Sequence, residues 1–184
     1  MTSILHLSLA EYDSMVRVGA FDRIARKVEL IKGELIEMNP AGPIHDDLIT
    51  YLTAWSADHR DRSRTIITSQ TGLNLPEQVS RPEPDLLWLR KDRYKHAHPI
   101  ASDVHLAIEV AFSSLAYDLE QKRLLYAAAG IVEYWIVDAT TSCIHVFTNP
   151  EQGDYSDLQI FKSGETLAPQ IAPDAKLQLH ELFN

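Results

Sequence analysis

The chain has 184 residues, 45% of them hydrophobic and 23% charged, an ordinary globular composition that suits a single domain over residues 1–184 with one sizeable core. Its apolar stretches fall far short of the ~20 residues of a membrane span. Met1-Thr2-Ser3-Ile4-Leu5-His6 has no basic segment leading into an apolar core, so no signal peptide is expected and a cytoplasmic protein is. Cys143 is the only cysteine, which rules out an intramolecular disulfide and a cysteine-built zinc site.

The formal net charge is -9, against the basic balance of a generic nucleic-acid binder. The excess is uneven: residues 1–100 hold 13 Lys/Arg against 14 Asp/Glu, and residues 101–184 hold 4 against 12. Two local basic runs, Arg60-Arg62-Arg64 and Arg90-Lys91-Arg93-Lys95, lie in the first half. They read either as solvated loops or as phosphate contacts.

In chain order, Ser8 and Glu11 have capping-box spacing ahead of Leu9, Tyr12, Met15 and Val16 at helical intervals. Val28–Ile31 and Glu34–Met38 flank Lys32-Gly33 as a hairpin. Residues 39–43 predict a loop, and 44–59 a second helix. Strands are expected at 65–71 and 84–89, followed by an irregular stretch over 91–103 and a strand over 105–112. Ser113 or Ser114 can cap a helix to about Ala129, stopped by Gly130. Strands at 133–138 and 143–147, another at 157–161 and a short element at 177–183 complete an α/β or α+β pattern around a mixed sheet.

Two carboxylates stand out, because an ionised acid inside an apolar strand is costly unless paired. Asp85 opens Pro84-Asp85-Leu86-Leu87-Trp88-Leu89, and Glu109 lies in His105–Phe112. Two such acids on neighbouring strands suggest a divalent cation between them. Period-two geometry puts Glu109 on one face with Ala107 and Ala111, leaving room beside it, while Leu106, Ile108, Val110 and Phe112 form the expected core face. The alternative is a glutamate paired with a neighbouring Lys or Arg on a half-exposed strand.

Lys122 comes into reach by simple geometry. Glu109 lies roughly 13 Å before its strand ends, and a helix starting near Ser114 and folding back reaches Lys122 after roughly 12 Å. Asp118, Lys122 and Tyr126 share a helical face, although Asp118–Lys122 also fits a surface ion pair of little value. Trp135, Tyr134 and Tyr126 could stack on bases, but their apolar neighbours favour packing. His96 and His98 lack a Cys or acidic partner at zinc-ligand spacing.

The ordered set Glu29-Leu30-Ile31-Lys32-Gly33-Glu34-Leu35, His45, Pro84-Asp85, Glu109-Val110 with Ser113, Asp118 with Lys122, Tyr126, and Gly130-Ile131-Val132-Glu133-Tyr134-Trp135-Ile136-Val137-Asp138 resembles the Uma-two family of putative restriction endonucleases. That family lies within the PD-(D/E)XK nuclease-like superfamily. The resemblance runs from about residue 8 to the C-terminus. It implies a restriction-endonuclease-like mixed β-sheet flanked by helices, with Asp85, Glu109 and the Val110 carbonyl as metal ligands. Lys122 would be the catalytic lysine. The superfamily pattern has that lysine two residues after the second acid, where this chain has Ala111. A proline usual in the family after the Glu-Val-x-Ser stretch is also missing, since Ser114 and Leu115 follow Ser113.

The implied activity is Mg²⁺- or Mn²⁺-dependent hydrolysis of DNA phosphodiesters by a homodimer, because cutting both strands favours two sites related by symmetry. Glu29 and His45 match the pattern as a possible outer shell around the ion, against structural roles in hairpin pairing and at a helix start. Gln70 could add a side-chain amide, against an ordinary strand position. The competing functions are a catalytically inactive nucleic-acid- or protein-binding module on the same fold and a hydrolase of small phosphoesters.

Overall fold

The computed structural model describes residues 4–24, 26–38 and 42–184; Met1–Ser3 of the N-terminal segment and Asn39–Ala41 of the expected loop lie outside these. Helix α1 (Leu9–Arg17) starts with the predicted capping box, in which Ser8 and Glu11 satisfy each other's backbone donors. Strands β1 (Val28–Ile31) and β2 (Glu34–Glu37) pair antiparallel. Lys32 and Gly33 both have positive φ (51° and 81°), as a two-residue hairpin turn of this kind requires. Helix α2 (Pro43–His59) begins at a proline, a residue suited to the first helical position because its missing N–H would have had no partner there.

The next six strands form a sheet in the order β3-β4-β5-β6-β7-β8: β3 (Thr65–Ser69), β4 (Leu86–Arg90), β5 (Val104–Ala111), β6 (Glu133–Asp138), β7 (Cys143–Glu151) and β8 (Asp154–Lys162). Every pairing is antiparallel except β5 with β6. That parallel pair needs a crossover, supplied by α3 (Leu115–Tyr117), a π-helical segment (Asp118–Lys122) and α4 (Arg123–Ala128). Gly130, at φ +80°, ends the helix, with Ile131 N–H bonded back to the Tyr126 carbonyl. A two-stranded ladder of β9 (Thr166–Leu167) and β10 (Leu177–Gln178) leads into α5 (Leu179–Leu182). The expected mixed sheet flanked by helices is thus what the chain forms.

Helix α2 and the crossover helix cover opposite faces of the sheet. On one face Leu48, Leu52 and Trp55 of α2 pack against Trp88, Ile108, Val110 and Trp135. On the other, Leu125, Tyr126 and Ala127 of α4 pack against Leu87, Ala107, Ala111, Tyr134 and Ile136. Two expectations are corrected by this. The Ala107–Ala111 face is not open, because the small side chains admit a helix at close range, and Phe112 lies outside the core at 54% exposure. Tyr126, Tyr134 and Trp135 are fully buried, so they pack rather than stack on bases. Among the described residues, no helix is long and apolar enough to cross a membrane.

Trp55 meets Trp88 and Trp135 at ring-centroid distances of 5.7 and 6.4 Å, and the Trp88 indole N–H donates to Ser56 Oγ at 2.9 Å. Ser56→Ala, which strands that donor, should cost about 1–3 kcal/mol, and Leu52→Ala about 2–5 kcal/mol. Urea denaturation should show both as lower midpoints at an unchanged slope.

Candidate active site

Asp85 precedes β4 rather than lying within it. Its ladder with β5 ends at Leu86↔Ile108, and the Asp85 carboxylate continues the pairing by accepting the Val110 N–H at 2.8 Å. Gln70 lies just past β3 with φ +46°, and its N–H bonds to the Pro84 and Asp85 carbonyls at 3.1 and 3.3 Å. The backbone of Gln70 thus fixes the Asp85 turn. It is not a strand residue, and its side chain is an exposed part of the cleft lining.

His45, in the first turn of α2, reaches Asp85 Oδ2 through Nε2 at 3.3 Å. The hydrogen bond to Asp85 raises the imidazole above its ordinary range, with burial opposing. Burial acts in the opposite sense on Asp85, but His45, the Val110 N–H and Lys122 outweigh it and hold the carboxyl below its usual range.

Glu109 projects toward the crossover helix. Its Oε1 accepts from the Lys122 ammonium at 2.9 Å and from the Tyr126 hydroxyl at 2.8 Å. The spacing that puts Lys122 level with Glu109 therefore matches a direct contact, and Lys122 is 1% exposed, not half of a surface pair. The same ammonium lies 3.4 Å from Glu29 Oε2. Glu29 is fully buried, and neither of its carboxylate oxygens has a hydrogen-bond partner. Its cross-strand neighbour is Ile36, so hairpin ion pairing does not explain it. Lys27, two residues away on the same face, sits 3.8 Å from Glu29 Oε1. Period two was the available sequence signal for Lys27.

Four acids, Glu29, Asp85, Glu109 and Asp118, thus surround one fully buried ammonium. Burial works against the Lys122 charge, but Glu109, Glu29 and Asp118 outweigh it and raise its pKa well above the lysine range. Burial pushes Glu109 up to about 8 against the pull of Lys122. It pushes Asp118 up to about 6 against Lys122 and the Ser114 hydroxyl, which donates to Asp118 at 2.6 Å. The Ser114 hydroxyl is therefore spent on Asp118 and caps no backbone N–H. The π-helical turn carrying Asp118 and Lys122 widens the helix where it meets the cluster. Such turns recur at functional sites.

A cleft of about 340 Å³ opens onto the cluster, with Glu29, His45, Asp85, Glu109, Val110 and Lys122 in its wall and Arg26 and Lys27 at its rim. The two basic runs lie elsewhere. Thr65 pairs with Arg90, and the Lys91 ammonium bonds to the Arg62 carbonyl at 2.9 Å. Both runs thus share the end of β3 and β4 remote from Asp85. Another group escaped sequence reasoning: Asp138, Cys143 and His145 bring one ligand atom each within 4.8 Å of one another. Counting cysteines alone hides a site of mixed ligands.

A profile of the Uma2 family, described as "Putative restriction endonuclease", matches residues 10–180. The chain belongs to the Uma2 family. No functionally curated protein shows significant similarity to it. Like this Uma2 chain in fold is a solved structure described as a putative nuclease belonging to DUF820 from Anabaena variabilis. It aligns over 96% of this chain and 97% of its own, with a TM-score of 0.74 and 14% identity.

The raised pKa of Asp118 has a sign that can be tested. Relative to an unfolded value near 3.8, a folded value of about 6 means stability present in full below the unfolded value and lost as pH rises through the folded one. Asp118→Asn removes that titration. In urea denaturation at stepped pH, the variant should therefore gain on the parent between pH 4 and pH 7; a difference independent of pH would contradict the assignment.

Proposed function

We propose that this Uma2 chain is a metal-dependent DNA endonuclease within a single restriction-endonuclease-like domain, acting as a homodimer. The observation that carries the reading is the excess of buried carboxylates over buried cations, with both Glu29 oxygens lacking hydrogen bonds. A cluster of that kind is short of positive charge. Its all-oxygen donors suit a hard divalent ion, Mg²⁺ or Mn²⁺.

Asp85, the second oxygen of Glu109 and the Val110 carbonyl would hold the ion. When bound, a divalent ion supplies Lewis acidity toward the scissile phosphate and lowers the pKa of a water. The chain's own residues do the rest. His45 and the Val110 N–H keep Asp85 ionised and fixed in direction. Tyr126 and Lys122 both hold Glu109 Oε1, which turns the other oxygen toward the cleft. The Lys122 ammonium places a positive charge where charge builds on the phosphate, and Arg26 and Lys27 sit where the flanking phosphates would pass.

A second reading, a binding module without catalysis, draws on the net charge of -9 and on the remote position of the basic runs. The two readings diverge in one experiment. With Mg²⁺ or Mn²⁺ present, the parent should cut plasmid DNA, chelator should stop it, and Asp85→Ala, Glu109→Ala and Lys122→Ala should each lower the rate at least about 10²-fold. Circular dichroism checks that the variants stay folded. Cutting by all three variants at close to the parent rate would overturn the assignment. Partner or nucleic-acid binding that survives chelator and Asp85→Ala would favour the module.

A further inference from the structure

A mixed cluster farther along the same face of the sheet, where β6 turns into β7, is chemically unlike the cleft. Asp138 ends β6 and pairs directly with Cys143 at the start of β7, and His145 follows on the same face of that strand. The Cys143 Sγ to His145 Nε2 distance is 3.6 Å. Tetrahedral zinc, with bonds of about 2.3 Å to sulfur and 2.0–2.1 Å to nitrogen, requires a sulfur–nitrogen edge of about 3.6 Å. The two side chains therefore already stand at the separation that a shared ion would impose.

Asp138 has capacity left for a third bond. Its Oδ1 accepts from the Thr140 N–H and hydroxyl and from the Thr141 N–H, at 2.8, 2.6 and 3.3 Å. Its Oδ2 accepts only from the Thr141 hydroxyl, at 2.5 Å, and a carboxylate oxygen has a second lone pair. The Thr141 Oγ1 also lies 3.2 Å from Cys143 Sγ, and since its one proton goes to Asp138 the thiol is the donor there, so the same hydroxyl touches two candidate ligands. Turn capping accounts for Asp138 and the threonines. The thiol and imidazole meet beside it in a hydrogen-bonding contact whose length also suits a shared ion.

We infer that Asp138, Cys143 and His145 form a second cation site that takes a zinc-class divalent ion. A thiolate, an imidazole and a carboxylate select such an ion over Mg²⁺. Asp138 and Cys143 are buried while His145 is half-buried, so the fourth position opens on the histidine side. The site is separate from the cleft. Glu109, Ile136 and His145 form one cross-strand row, which puts His145 two strand spacings from Glu109, roughly 10 Å. Two-metal hydrolysis needs ions about 4 Å apart, so this ion is not the partner of one at Asp85 and Glu109.

The test is calorimetric titration of the tag-free full chain with Zn²⁺ in excess Mg²⁺, paired with the absorption spectrum of the Co²⁺-loaded chain. One Zn²⁺ should bind per chain, and Co²⁺ should show a sulfur-to-metal charge-transfer band. Cys143→Ser should abolish that band. Cys143→Ser and His145→Gln should each weaken Zn²⁺ by more than the roughly 10–100-fold that loss of an outer partner costs, while Asp85→Ala leaves Zn²⁺ binding unchanged. Absence of saturable binding, affinity unaltered in both the Cys143 and His145 variants, or binding lost with Asp85 instead would each overturn the site. None of these outcomes depends on whether the cleft cuts DNA.

Discussion

The buried ammonium of Lys122 is the contact on which the rest of the site depends. Removing a lysine from water costs several kcal/mol unless the geometry of its partners repays it, and here Glu109 and Glu29 lie 2.9 and 3.4 Å away. The ammonium and its partners come from three places that share no regular ladder: the crossover helix, the β1–β2 hairpin and the centre of the main sheet. Among the described residues the hairpin touches the rest of the chain through few backbone bonds, such as Arg81 N–H to the Leu30 carbonyl at 2.6 Å. The charge cluster therefore sets where β1 sits as much as β1 sets the cluster. Loss of the ammonium would leave the buried carboxylates without their counterpart.

The same cluster is out of balance in a way that packing alone does not require. One ammonium serves Glu109 and Glu29 directly and acts at longer range on Asp118 and Asp85. Burial drives Glu109 and Asp118 above the usual carboxylate range against the pull of that one ammonium, while Asp85, with His45 and a backbone N–H of its own, is held below it. A core evolved only for stability would gain by replacing such acids with apolar side chains of similar volume. Their presence is more readily understood as readiness to take up positive charge.

How far the sequence reveals this varies by element, for physical reasons. The acids at 85 and 109 show because short apolar runs make a charge conspicuous, and the reach of Lys122 shows because strand and helix rises are nearly fixed. The capping box and the Lys32-Gly33 turn show because their chemistry is local. The burial of the Ala107–Ala111 face does not show, since alanine fits equally well under a helix or beside a cavity and only the parallel β5–β6 crossover decides between them. The left-handed Gln70, the π-helical turn and the convergence of Asp138, Cys143 and His145 depend on register and tertiary packing. No residue spacing encodes these by itself. The basic runs mislead for the same reason: their charge is visible in the sequence, but the end of the strand on which they fall is not.

That placement bears on how a polyanion could approach. With a net charge of -9 and its clustered Arg and Lys remote from the cleft, the chain offers little general attraction to DNA. The rim cations are also engaged, Arg26 with Glu37 and Lys27 with Glu83. On the nuclease reading, the cleft without its ion would repel a phosphate, because the buried carboxylates outnumber the one buried ammonium among them. Binding a divalent cation would add two positive charges at the point of the deficit and remove much of that repulsion. Cation and substrate would then bind cooperatively by ordinary linkage, with the buried acids setting the strength of the coupling. The acidity that counts against a DNA-binding protein as a bulk property would in that case become the means by which metal occupancy controls access to the site.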